Sequence, residues 1–196
     1  MQEILIYLET EYADWEISHI GHQVKSSKRY DIKIVSKTKE PLISMSGFNI
    51  IPDYSVDDIL FSDINHYSML ILSGGMYWSK GKFVNETAES LVKLFLMNNK
   101  PVAAICDATT FLAFNGYLND VEHTGNTIQH IIRHCPNYKG HKLYLNKQSV
   151  SSNRFITANG TAGLEFTREI LKKLEIGSPQ EIEAWYQFRK KGIYHD

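Results

Sequence analysis

The stretch Tyr67–Gly75, "YSMLILSGG", limits what this chain can fold into more than any other. A strand with one wet face alternates apolar and polar residues, whereas this one runs apolar from Met69 through Leu72 just before Ser73 and its two glycines. Such a strand is buried on both faces, and the usual cover is a layer of helices on each side of a parallel sheet. The rest of the chain supplies both parts. "EILIYL", "DIKIVSK" and "PVAAIC" read as further strands. Between them, "ADWEISHIGHQVKSS" predicts a helix on which Trp15, Ile17, Ile20 and Val24 share a face. Glu86 to Asn98 predicts another, with Leu91, Leu94 and Phe95 turned to the core and Asn98-Asn99 closing it. "PLISMSGFNIIPDYSV" alternates weakly about Ser46-Gly47 and predicts a small hairpin.

After Gly116 the pattern loosens. "TIQHIIRHC" predicts a short helix stopped by Pro136, and "KLYL" and "SVSSNRFITAN" predict short strands. "GLEFTREILKKL" predicts a helix. "SPQEIEAWYQFRKK" predicts a last one, with Ser178 as cap, Pro179 in the first turn and Glu181 completing a capping box. Strands alternating with helices define an α/β fold with a mostly parallel sheet, helices on both faces and a small hairpin. With no repeat, linker or low-complexity tract, residues 1–196 are expected to form a single domain.

A formal net charge of -1 offers no electrostatic attraction to a polyanion or an anionic membrane, so neither nucleic acid nor membrane is an expected partner. "MQEILIYLET" carries an acid at position 3 and only a short apolar run, unlike a signal peptide. The expected location is the cytoplasm, where Cys106 and Cys135 are read as free thiols.

In such a sheet, ligands and reacting groups gather at the carboxyl ends of the strands. There the chain offers Asp14-Trp15-Glu16, Ser73-Gly74-Gly75 and Cys106. Cys106 stands between a strand and a helix that opens at Asp107, stops at Asn115-Gly116 and reads as amphipathic. The residues two before and two after it, Ala104 and Ala108, are small, as a tight nucleophile elbow requires. Amides and the positive dipole at the start of that helix favour a thiolate, which lowers a cysteine pKa below about 8.5. The same amides, that of Asp107 foremost, together with Gly75 and the adjoining Gly74, can receive an oxyanion.

Several stretches together resemble the ThiJ/PfpI superfamily. They are "YADWEIS", "SGFNIIPDYSVDDI", "LILSGG", "VAAICDATTFLAFNGYLND", "EHTGN" and "NRFITANGTAGLEFTREIL". The resemblance implies a flavodoxin-like three-layer sandwich related to class I glutamine amidotransferases. The pairing of Asp-Trp-Glu with His-Thr-x-Asn is most similar to the intracellular protease/amidase branch. By motif, the family's reactive cysteine falls on Cys106 and its protonated acidic partner on Glu16. A carboxyl and a thiolate in contact do not both carry charge comfortably, so one of them keeps the proton. PfpI-type proteases have histidine directly after the cysteine, and Asp107 stands there instead. That departure argues against a Cys-His dyad at this point and leaves His123 of "EHTGN" as the third candidate.

The expectation is therefore a cysteine-dependent hydrolase acting on a peptide or amide bond, or on a small reactive carbonyl. Cys106, Glu16 and His123 do the chemistry, Gly75, Asp107 and Gly74 bind, and Trp15 and Asp14 wall the pocket. The alternative is a non-catalytic stress protein, redox-responsive or chaperone-like, in which Cys106 is oxidised to a sulfinic acid. The resemblance also implies a homodimer. No cofactor is expected. Neither His19 with His22 nor His130 with His134 and Cys135 has the spacing of a zinc site, so no metal is expected either.

Overall fold

A computed structural model describes residues 1–193; the last three residues of the expected 1–196 domain lie outside the described part. The chain begins with β1 (Gln2–Tyr7), α1 (Asp14–Ser27) and β2 (Tyr30–Ser36). The hairpin follows as β3 (Leu42–Ile43) and β4 (Asn49–Ile50), then β5 (Tyr54–Ser55) and α2 (Val56–Leu60). The buried run becomes β6 (Tyr67–Leu72), followed by α3 (Met76–Ser79) and α4 (Glu86–Met97). Next come β7 (Val102–Ile105), α5 (Asp107–Phe114) and α6 (Ile128–His134). The chain closes with β8 (Ser149–Ser152), β9 (Phe155–Ala158), α7 (Gly163–Lys173) and α8 (Pro179–Lys191).

Seven strands form one sheet in the order β5-β2-β1-β6-β7-β9-β8. Every pairing in it is parallel except that of β8 with β9. Alternate residues of the central strands feed two separate cores. Leu5, Tyr7, Leu70, Leu72, Val102 and Ala104 face a core shared with α4 and α5. Ile4, Ile6, Met69, Ile71, Ala103 and Ile105 face one shared with α1, α7 and α8. The result is the α/β flavodoxin-like sandwich of three layers.

Most predicted elements are present, the β3–β4 hairpin and the Ser178/Glu181 capping box of α8 included. Three expectations are corrected. "KLYL" is no strand: Gly140–Leu143 forms a 3-10 turn, and a lone bridge joins Tyr144 to His123. The helix after Cys106 is not amphipathic, since every residue from Asp107 to Ala113 is buried. It is wedged against the sheet beneath α3 and α6, where Asp107 and Thr109 find protein partners while the Thr110 hydroxyl is buried without one. On α1 the buried row is Glu16, Ile20 and Val24, four apart, while Trp15 is 48% exposed. The expected face of Trp15, Ile17, Ile20 and Val24 is thus rotated by about one residue, and Glu16 takes the inward place.

Among the described residues, no helix is long and apolar enough to cross a membrane.

Candidate active site

β7 delivers Cys106 to the carboxyl edge of the sheet, where its amide donates to the Ala158 carbonyl of β9 at 2.9 Å. The chain then turns at once into α5. Cys106 takes φ 58° and ψ -134°, a region that L-residues avoid and that costs about 1–3 kcal/mol. Its carbonyl is tied down in return by the amide and hydroxyl of Thr109, at 3.1 and 2.6 Å. Ala104 and Ala108 are fully buried on either side, so the small residues serve the packing expected of an elbow.

Glu16 comes from the first turn of α1 and is 1% exposed. Its Oε2 accepts the Gly74 amide at 2.7 Å, and its carboxyl packs beside Cys106 across Gly74. Burial raises its pKa from 4.5 to about 7, against the lowering effects of Gly74 and Cys106. The thiol is pushed up as well, to about 12, first by burial and then by the charge of Glu16. A hydrogen bond from Asn126 and the Asp107 amide oppose that rise. The expectation of a thiol lowered by its helix terminus alone is thus corrected. Two buried acids in contact share a proton, and the pair carries a single negative charge once Glu16 or Cys106 has ionised.

Two glycines make room for this contact. A Cβ on Gly74 would lie 2.5 Å from Cys106 Cβ and 2.7 Å from Glu16 Oε2. One on Gly160 would lie 2.8 Å from the sulfur itself. Gly75 has φ 141°, and a Cβ there would meet the Glu11 carbonyl at 2.3 Å. Its close approach is therefore to the loop after β1. Gly74 spends its amide on Glu16, which makes it a brace for the acid instead of an oxyanion donor.

Asp107 is 3% exposed and does not cap its helix. Its carboxylate accepts from the hydroxyl of Ser79 on α3 and, at 2.8 Å, from Asn126 Nδ2. His130 Nε2 of α6 lies 3.1 Å from Asp107 Oδ1 without being aligned as a hydrogen bond. Asn126 Nδ2 also lies 3.4 Å from Cys106 Sγ. Asp14 stands at the rim and accepts the Ser46 amide of the hairpin at 3.3 Å.

His123 is not brought into this group. It is fully buried, its Nδ1 donates to the Val121 carbonyl at 2.7 Å, and its Nε2 accepts from Tyr138 at 2.6 Å. Tyr138 and Tyr144 pack edge-on against the ring. Both nitrogens are spent and burial lowers its pKa, so the ring is a neutral core group. Among the described residues no three His, Cys, Asp or Glu side chains converge as metal ligands. The His130 and His134 rings lie with centroids 4.5 Å apart and planes tilted by 43°, and Cys135 points at the Thr110 carbonyl.

A parallel α/β sandwich with a strained cysteine at a strand-to-helix elbow and a buried acid on its sulfur defines a cysteine-elbow class. Within that class, residues 2–173 match the model of the DJ-1/PfpI family, and the chain belongs to this family. It is 32% identical to the uncharacterized protease YoaZ of Bacillus subtilis, over 96% of this chain and 91% of that one. It is 33% identical to the uncharacterized protease YdeA of the same organism, over 100% and 94%. The crystal structure of a DJ-1 superfamily protein from Agrobacterium tumefaciens superposes with a TM-score of 0.88 at 34% identity, covering 98% of this chain and 99% of that one.

Sequence reasoning missed Asn126, Ser79 and His130. Asn126 lay within the quoted "EHTGN" stretch, which was the one available signal. Ser79 and His130 reach the site only because α3 and α6 pack around the start of α5.

Proposed function

We propose that the protein is a cysteine-dependent hydrolase acting on peptide or amide bonds, or on small reactive carbonyls. The observation that carries this reading is the contact between a strained Cys106 and a buried Glu16 whose pKa is raised to about 7. Cys106 attacks the carbonyl carbon as the thiolate, forming a carbon–sulfur bond and leaving charge on the carbonyl oxygen. The Asp107 amide, together with that of Gly75, receives that oxyanion. Glu16 holds the proton, passes it to the leaving group and recovers one from the water that releases the product. With His123 turned to the core, Glu16 does both proton transfers. The protease names of the two Bacillus subtilis relatives support a hydrolase.

The working unit is a homodimer in the cytoplasm. Ile43, Met45 and Phe48 of the hairpin region, with Trp15 and Met76 beside it, are each at least 40% exposed, an apolar surface suited to a second copy.

Purified protein assayed with fluorogenic peptides, simple amides and methylglyoxal is expected to turn over at least one of these classes, and Cys106→Ala to abolish that turnover. Equal rates in wild type and Cys106→Ala, or no turnover with any class, would overturn the proposal. Stoichiometric sulfinic acid at Cys106 under mild peroxide, without turnover, would instead support the redox reading.

A further inference from the structure

Asn126 makes three polar contacts, and together they leave its side chain a single orientation. Its Oδ1 accepts the Gly160 amide at 2.9 Å, and an amide N–H can only donate. Its Nδ2 donates to the Asp107 carboxylate at 2.8 Å, and an ionised carboxylate can only accept. Turning the amide over would set oxygen against oxygen at Asp107 and N–H against N–H at Gly160. The second hydrogen of Nδ2 is therefore directed at the Cys106 sulfur, 3.4 Å away.

We propose that Asn126 is the positioning residue for the Cys106 sulfur, with its N–H locked onto that sulfur by Asp107 on one side and Gly160 on the other. This assigns a purpose to the residue after the cysteine. Asp107 is held by Ser79, faced by His130 and buried at the start of α5, so it serves as a fixed acceptor. The charged or titratable groups facing the sulfur are then Glu16 from α1 and Asp107 from α5, with His130 from α6 behind Asp107. Glu16 supplies the proton, and Asn126 holds the sulfur once that proton has gone. The loop carrying Asn126 and the Gly160 turn after β9 are joined by the same side chain.

The inference rests on the reading of Cys106 as the reacting thiol, but its test does not use turnover. Cys106 alkylation by iodoacetamide is followed by mass spectrometry against pH in wild type, Asn126→Ala and Asn126→Asp, with Cys135 as internal reference. Asn126→Ala is expected to move the midpoint of Cys106 alkylation up by about one pH unit, a tenfold loss of rate at a fixed pH below it. The rate at the high-pH plateau is expected to stay within about two-fold of wild type. Asn126→Asp keeps the acceptor for Gly160, replaces the donor by a charge and is expected to move the midpoint further. Thermal melts confirm that each variant is folded. A midpoint unchanged in the folded Ala variant would overturn the inference, and so would a uniform loss of rate at every pH, which marks a merely structural role. If Cys106→Ala left turnover intact while the Asn126 shifts appeared, the hydrolase reading would fall and the sulfur clamp would stand.

Discussion

Cys106 and Cys135 are both sheltered from solvent, and burial, the largest influence on each, pushes either thiol up to about 12. Their neighbours differ. The Cys135 thiol donates to the Thr110 carbonyl, an acceptor that opposes any negative charge on the sulfur. Cys106 meets a carboxyl that can carry the proton, the Asn126 amide and the Asp107 amide. Depth alone makes a thiol inert; a proton carrier and donors aimed at the sulfur make a buried thiol usable. The comparison also separates two kinds of backbone. Cys135 follows α6 at ordinary angles, whereas Cys106 is held at φ 58°, a cost that a core residue has no reason to bear.

The largest effect on this contrast is expected from Gly74→Ala. The added Cβ would collide with Cys106 Cβ and Glu16 Oε2, at 2.5 and 2.7 Å, and neither the elbow nor the buried helix can yield cheaply. A loss of about 2–4 kcal/mol in urea unfolding is expected, from overpacking and from breaking the Gly74–Glu16 bond. Stability close to wild type would mean that the packing of the acid against the elbow is loose.

Glu16→Gln comes next. The folded pKa of Glu16, about 7, lies above its ordinary 4.5, so the folded state keeps the proton to higher pH. The stability this lends is fully present below about pH 4.5 and is lost as pH rises through about 7. The loss is on the order of 3 kcal/mol. Melting temperatures of Glu16→Gln are expected to vary less than wild type across that window. Parallel curves would show that Glu16 titrates as it does in water.

The smallest effect is Gly160→Ala, whose Cβ would sit 2.8 Å from the sulfur, with Cys106 Cβ at 3.2 Å and Asn126 Oδ1 at 3.4 Å. The thiol can rotate away, so the fold is expected to survive with melting unchanged, while alkylation of Cys106 slows about tenfold and that of Cys135 does not. Equal slowing at both cysteines would point to a general change in the protein instead of a block at one sulfur.

The sheet was legible because burial on both faces writes itself into Met69–Leu72 and Val102–Ile105 as uninterrupted apolar residues. The elbow was legible too, since Ala104 and Ala108 flank Cys106 at the spacing a tight turn needs. Glu16 could not be found by periodicity, because a carboxylate on a helix start is ordinarily solvated and only the family motif singled it out. His123 misled for a related reason. The family resemblance made the histidine of "EHTGN" a candidate, yet Val121 and Tyr138 satisfy its two nitrogens and Tyr144 packs edge-on against its ring. Asn126, Ser79 and His130 meet Cys106 and Asp107 across long sequence separations, and no local pattern encodes such a meeting.

The contrast between the two cysteines comes down to the proton on Glu16, and the alkylation rate of Cys106 against pH reads it directly. Wild type is expected to show a first rise near pH 7, where the Glu16–Cys106 pair loses the first of its two protons and shares the one left, with Cys135 untouched. Glu16→Gln is expected to lose that rise and to react in a single later step. Superimposable curves for the two proteins, or a Cys135 that reacts as fast as Cys106, would contradict it.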